Sequence, residues 1–149
     1  MLNKFYATVC SRSTGDVLMD LGAVPMAEHY GDVAEDNIGF ALMDLNGDKV
    51  DELVIGTVAS AEGEATTVFC IYSDPENPFY SICAVEGEGY YLHAGETDSS
   101  YVVEHIALNS AWVITPAETE NTFDFMDWES PLDPAGRLTL DLIPFSRYK

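Results

Sequence analysis

The stretch DLNGDKVDE, residues 44–52, carries oxygen-bearing groups at alternate positions. Counting Asp44 as the first, Asn46, Asp48 and Glu52 supply side chains at positions 3, 5 and 9, and Val50 supplies a backbone carbonyl at position 7. In a tight loop, this spacing turns successive oxygens inward around one cation. Because Ca²⁺ accepts about six to eight hard oxygen ligands at flexible geometry, the pattern predicts a calcium site.

An EF-hand does not fit the same stretch. That motif needs a bidentate Glu at the last position of its loop and a helix on each side. The residue at that position is Ile55, and the flanking FALM and ELVIG segments have the composition of strands. The predicted site is therefore a calcium loop between two strands.

A plain hairpin is the alternative interpretation of these residues. Asn46 and Gly47 form the favoured pair for a tight type I′ turn, which would set Phe40 opposite Leu53 in the ladder. Four acidic side chains within nine positions are hard to justify for a turn alone. The residues therefore favour the metal loop and leave the hairpin open.

Residues 39–56, GFALMDLNGDKVDELVIG, resemble the calcium loop of FG-GAP and VCBS-type repeats, in which a DxNxDGxxDL loop joins two apolar strands. The resemblance implies Ca²⁺ held by the positions Asp44, Asn46, Asp48 and Glu52, and a structural or adhesive role outside the cell. The chain departs from the pattern at Lys49, where the family has Gly. The motif occurs once, so a full propeller is not expected.

The order of the predicted elements along the chain shows a second resemblance. A helical lead, the calcium-loop stretch and a β-meander together resemble secreted or lipoprotein domains of gut-dwelling Gram-positive bacteria, a group of unassigned activity. This resemblance implies an extracellular or cell-envelope location, although residues 1–10, MLNKFYATVC, contain no apolar h-region of a secretory signal.

Net charge narrows the choice of partners. With 26 acidic and 6 basic residues the chain carries a formal charge of -20, which repels nucleic acid and anionic membrane surfaces. No apolar run approaches the ~20 residues that cross a bilayer, so membrane insertion is not expected. Bound cations or a basic protein would reduce the self-repulsion of the chain.

Hydrophobic periodicity predicts the elements that position the loop. Apolar residues at helical spacing predict short helices at 2–9, 16–21 and 25–30. Runs rich in β-branched and aromatic residues, separated by turn residues, predict strands at 38–43, 52–58, 66–72, 79–85, 89–94, 101–108, 111–115, 121–126 and 138–143. The fold class is predicted to be α+β, with short N-terminal helices packed on an antiparallel β-meander sheet. We expect one domain over 1–149, with a helical lead-in at 1–35 and a β-rich body at 36–149.

The three cysteines suggest neither a zinc knuckle nor a thioredoxin-type site, since none is in CxxC spacing. A hairpin centred on residues 76–77 would set Cys70 opposite Cys83. Both a disulfide between them and two thiols remain open at this point.

Aromatic and acidic residues mix in the segment DFMDWESPLD, residues 124–133. Large rigid rings give contact area at low entropy cost, so Phe125, Asp127 and Trp128 are predicted to bind a protein or glycan partner. His93 and His105 fall in predicted strands and could approach each other, but they lack the ligand set of a metal or catalytic site.

Paired glutamates offer one further reading. Glu86 and Glu88 in a Gly-punctuated turn meet the spacing that glycoside hydrolysis needs, although a solvated turn is the favoured interpretation. The sequence favours a non-enzymatic, Ca²⁺-stabilised recognition or structural module of a secreted or cell-surface bacterial protein. The alternative is a cytoplasmic acidic immunity or inhibitor-type protein that binds a basic partner.

Overall fold

The computed structural model describes residues 34–61, 63–72, 81–83, 89–96, 100–105, 110–116 and 123–147. The helices predicted before residue 31 and the glutamate pair at 86 and 88 lie outside these ranges. Helix α1 spans Ala34–Asn37. The strands are β1 Ile38–Met43, β2 Glu52–Thr57, β3 Val68–Tyr72, β4 Ser81–Cys83, β5 Tyr90–Ala94, β6 Tyr101–His105, β7 Ser110–Pro116, β8 Phe123–Asp127 and β9 Ile143–Pro144. Two 3₁₀ turns lie at Pro134–Gly136, between β8 and β9, and at Phe145–Arg147, directly after β9.

The α+β prediction was wrong for the part of the chain that the structure describes. This part is mostly β, with one four-residue helix and two 3₁₀ turns, and it contains no layer of helices packed on a sheet. One face of the strands is covered instead by irregular chain after residue 137, whose Leu140, Leu142 and Phe145 are buried in the core. No helix among the described residues is long and apolar enough to cross a membrane.

The sheet consists of two antiparallel halves of four strands. One half has the order β9-β1-β2-β3 and the other β5-β6-β7-β8. They meet through the single residue pair Val68–Tyr90 between β3 and β5, while β4 pairs with the same edge of β3. The loop between β1 and β2 is therefore positioned by one half of the sheet, and the side chains of β5 to β8 by the other half.

Eight of the nine strands lie where the sequence pattern predicts them, within a few residues at each end. Cys70 pairs with Cys83 across β3 and β4, which is the register of a hairpin centred on residues 76–77. The ninth prediction was wrong, since residues 138–142 are not a strand. Their backbone bonds alternate between partners: the Leu138 amide donates to Leu92 of β5, and the Leu138 carbonyl accepts from Thr66 before β3.

Strands β1 and β2 are anchored in the core and so hold the ends of the loop between them. All residues of β2 except Thr57 are buried. The ring of Phe40 in β1 packs on Phe145, with centroids 5.4 Å apart. Gly39 and Gly56 are directly paired, and a Cβ on Gly39 would lie 2.7 Å from the Ile143 carbonyl of β9. Glycine at this position is what permits β9 to approach β1 so closely.

Candidate functional site: the acidic β1–β2 loop

The β1–β2 register excludes the tight hairpin. Met43 pairs with Glu52 as the last pair of the ladder, and Phe40 pairs with Ile55 rather than with Leu53. The connection is therefore a loop over residues 44–51, longer than a type I′ turn. The reason is visible within the loop, where side-chain oxygens satisfy the backbone amides that a continued ladder would otherwise pair.

Asp44 organises this loop by accepting two backbone hydrogen bonds. Its Oδ1 accepts from the Gly47 amide at 2.7 Å, and its Oδ2 accepts from the Lys49 amide at 2.8 Å. Asn46 and Asp48 each accept from the amide two residues ahead, at 3.1 and 2.8 Å. These are Asx-turn bonds, which short polar side chains form readily with nearby backbone. Together they curl the chain around the side chain of Asp44.

The curl requires two residues with left-handed backbone. Gly47 has φ of 81° and Lys49 has φ of 68°. Glycine adopts such values freely, whereas a residue with a Cβ does so at a cost of roughly 1–2 kcal/mol. Lys49 therefore takes the sharp turn that the FG-GAP pattern gives to glycine, and it does so at a steric cost that the Asp44 hydrogen bond offsets.

Glu52 is the buried carboxylate of the loop. It is 2% exposed, and its Oε2 accepts from the Leu45 amide at 2.6 Å. The pKa of Glu52 is raised to about 7, chiefly by burial and also by the nearby charges of Asp48, Asp44 and Asp51, against the opposing effect of that amide. Among the described residues, no basic side chain forms an ion pair with Glu52. Its negative charge is therefore uncompensated within the described part of the chain.

The structure places four of the five predicted ligand residues in the loop and Glu52 at the start of β2, but it does not assemble them around a point. Within the described ranges, no three His, Cys, Asp or Glu side chains are arranged to hold a metal ion. Both oxygens of Asp44 and the Oδ1 of Asp48 face backbone amides instead. The Oδ2 of Asp48 accepts from the side-chain amide of Asn46 at 3.4 Å, and each carboxylate oxygen keeps a second lone pair. Asn46 is 7% exposed, while the side chain of Val50 is 45% exposed. The donor set has the hard oxygens that Ca²⁺ prefers.

The predicted partner-binding residues do not form one patch. Asp127 ends β8, is exposed, and pairs with Trp112. Trp128 is half-buried and continues the pairing, since its amide donates to the Ala111 carbonyl at 2.9 Å. Successive residues alternate between faces of a sheet, so Asp127 and Trp128 lie on opposite faces. Phe125 pairs with Ile114 through its backbone.

A cluster of side chains around Glu104 was not predicted from the sequence. The Glu104 carboxylate accepts two hydrogen bonds from Arg137, at 3.0 Å from Nε and 2.7 Å from Nη2. His93 Nε2 lies 2.7 Å from the same carboxylate, and the Arg137 guanidinium stacks 4.1 Å from the Tyr91 ring centroid. The Arg137 hydrogen bonds are the main reason that the pKa of Glu104 is lowered. No local spacing could predict this cluster, because Arg137 follows Glu104 by 33 residues.

The two histidines on the central strands do not approach each other as a pair. His105 pairs with Tyr90, whereas His93 lies three residues further along β5 and pairs with Val102. Side chains three residues apart on a strand point to opposite faces of the sheet, so His93 lies on the face opposite to Tyr90 and its partner His105. The ring of His105 stacks with Tyr90, at 5.0 Å between centroids, which indicates a packing role.

Comparison with protein-family models, curated proteins and solved structures finds no match to this chain. The fold and the loop geometry therefore define the protein only as a mostly-β antiparallel module with an acidic β1–β2 loop. The FG-GAP and VCBS resemblance depends on residues 39–56 alone.

Proposed function

We propose that this protein is a non-enzymatic β-sheet module of a secreted or cell-surface bacterial protein, stabilised by Ca²⁺ at its β1–β2 loop, and that it acts by recognition. The observation that carries the proposal is the buried carboxylate of Glu52 beside three further acidic residues of the same loop. A buried charge without a partner destabilises a fold, and a cation of high charge removes that cost.

Loop length supports the same proposal. A loop over residues 44–51 keeps Asp44, Asn46 and Asp48 outside the ladder, where their oxygens can turn toward a common ion. Glu52 stands at the first position of β2 and would supply a rigid ligand from the sheet. When bound, Ca²⁺ would supply positive charge to a chain with a formal charge of -20.

The test is thermal unfolding of chelator-treated protein with and without millimolar Ca²⁺, with Mg²⁺ at matched ionic strength. A ligand present at a hundred times its Kd stabilises the native state by about 2.7 kcal/mol. For a chain of this size, that free energy raises the Tm by roughly 5–11 °C. We expect this rise with Ca²⁺, and a much smaller one with Mg²⁺, which dehydrates reluctantly.

Two variants separate specific binding from charge screening. Asp48→Ala removes a proposed ligand and should abolish the Ca²⁺-dependent rise. Asp51→Asn removes one charge from the same loop at a position outside the ligand spacing, so the rise should persist. Equal small rises with both ions, unchanged in both variants, would refute the proposed calcium site.

The formal charge of -20 favours one second candidate, an acidic protein that docks on a basic partner with fast, salt-sensitive association. This candidate requires no calcium effect. Capture of a basic protein at low salt, released at high salt, together with equal responses to Ca²⁺ and Mg²⁺, would favour it over the calcium-stabilised module.

A further inference from the structure

Two of the three cysteines lie opposite each other in the sheet. Cys70, in the middle of β3, pairs directly with Cys83, the last residue of β4. Directly opposed residues of an antiparallel ladder lie on the same face of the sheet, with Cα atoms about 4.5 or 5.5 Å apart according to the type of pair. A disulfide needs a Cα separation of about 4.4–6.8 Å. Both types of pair therefore meet this condition with the backbone in place.

The surroundings of Cys70 would protect such a bond. Cys70 is fully buried and belongs to the hydrophobic core. On the other side of β3, Ile55 of β2 lies opposite Cys70. A thiolate that reduces a disulfide must reach a sulfur atom of the bond, and the sulfur of Cys70 is closed to such attack once the sheet has formed.

The same burial determines when the bond can form. Cys70 is present as a thiol, so the sheet accommodates the reduced state, but its sulfur is shielded there. In the unfolded chain both thiols are exposed to solvent. Oxidation must therefore take place as the chain folds, in a compartment that supplies a disulfide reagent. The loop that the bond closes, residues 71–82, is short, so the entropy cost of bringing the two thiols together is small.

A bond at this place would secure a strand that has few other attachments. Strand β4 has three residues, and among the described strands it pairs only with β3. A covalent link at the last pair of this ladder fixes both its register and its position. Cysteine also occurs in cores simply as a small apolar residue, but that role does not require two cysteines to occupy directly opposed positions.

We propose that Cys70 and Cys83 form a cross-strand disulfide when the protein folds in an oxidising compartment, and that this bond fastens β4 to β3. One cysteine thiolate attacks a sulfur of a small-molecule disulfide such as oxidised glutathione, which releases one glutathione thiolate and leaves a mixed disulfide. The second cysteine thiolate then attacks the protein sulfur of the mixed disulfide, and the other glutathione leaves. The protein loses two hydrogen atoms, and the glutathione disulfide is reduced to two thiols.

The test is oxidative refolding of the full chain. Protein that has been unfolded and reduced in urea would be refolded in a buffer of reduced and oxidised glutathione, and the remaining thiols would then be alkylated. Cleavage after Glu76 by a glutamate-specific protease places the two cysteines on different peptides, residues 65–76 and 77–86. Mass spectrometry without reductant shows whether these peptides are joined.

We expect the two peptides to be joined and Cys10 to be alkylated. The Tm of the oxidised chain should exceed that of the reduced chain by roughly 6–12 °C, because the bond closes the loop over residues 71–82 in the unfolded state. Cys83→Ala should have the same Tm with and without excess reductant. Cys10→Ala is the matched control and should keep both the joined peptides and the rise in Tm.

Alkylation of all three cysteines after refolding in the glutathione buffer would overturn the inference, and so would a bond from Cys10 to either of the other two. Joined peptides with equal Tm values for the oxidised and reduced chains would overturn the role of the bond in fastening β4. The refolding would be carried out with chelator and with Ca²⁺. A bond that forms in both, without calcium stabilisation, would refute the calcium loop and leave the disulfide intact.

Discussion

Replacing Glu52 with Gln tests whether a buried, uncompensated carboxylate underlies the calcium proposal. Glutamine has nearly the same shape, and its amide oxygen can keep the hydrogen bond from the Leu45 amide that Glu52 accepts at 2.6 Å. The substitution removes one charge from a residue that is 2% exposed. Its effect on stability should therefore report the cost of that charge.

The magnitude follows from the pKa of Glu52, which burial raises from 4.5 to about 7. This difference corresponds to roughly 3 kcal/mol between the folded and unfolded chains. The folded chain retains a proton on Glu52 that the unfolded chain loses, so the free energy of unfolding falls as pH rises from about 4.5 to 7. Above this window Glu52 is charged in both states, and the full cost is present.

Glu52→Gln should therefore match the unmodified chain near pH 4.5 and be more stable at pH 8 in the presence of chelator. We expect a gain of about 1–3 kcal/mol at pH 8, because the Gln amide leaves a buried donor that offsets part of the effect. The measurement is urea unfolding across this pH range, with the slope m compared to confirm an unchanged native surface. Ca²⁺ should stabilise the unmodified chain but not the variant.

Asp51→Asn provides the control at an exposed neighbouring position, where the gain at pH 8 should be much smaller. If Glu52→Gln is less stable than the unmodified chain at pH 8 without calcium, the charge on Glu52 does not destabilise the fold. The same conclusion follows if the difference in stability between the two chains is equal at pH 4.5 and pH 8.

The remaining predictions concern the other half of the sheet and the approach of β9. The Arg137 hydrogen bonds lower the pKa of Glu104. The stability that the ionised Glu104 contributes is therefore fully present above the ordinary pKa of a glutamate, and it is lost as pH falls through the lowered pKa. Glu104→Gln should destabilise the chain by about 1–3 kcal/mol at pH 7. The difference measured by urea unfolding should become smaller as pH falls from 7 toward 3, and a difference that does not change with pH would contradict the ion pair. Gly39→Ala would bring a Cβ within 2.7 Å of the Ile143 carbonyl of β9. Thermal unfolding should therefore show that the free energy of unfolding falls by about 1–3 kcal/mol. An unaltered Tm would mean that β9 does not lie against β1.

Local pattern was sufficient for most strands and for identifying the oxygen-bearing residues of the β1–β2 loop. Alternation of apolar and polar residues depends on the neighbours of each residue, so β1 and β2 were predicted to within a residue. The turn-rich segment between β3 and β4 allowed the Cys70–Cys83 pairing, but only the structure fixed that register. The oxygen-bearing residues of the β1–β2 loop were evident from their spacing, but the choice between hairpin and loop required the ladder register.

Tertiary structure decided which distant residues meet. The two halves of the sheet meet through a single residue pair between β3 and β5. Residues 138–142, which the alternation of apolar and polar residues predicted as a strand, are irregular, and Leu138 bonds to both halves. Arg137 reaches Glu104 from 33 residues away, and Trp128 is turned away from Asp127 by its place beside Ala111. The sequence by itself determined where most strands form and which side chains could bind a cation, because those properties are local. The burial of Glu52 and the cluster around Glu104 depend on packing between segments far apart in the chain, and only the folded structure decides them.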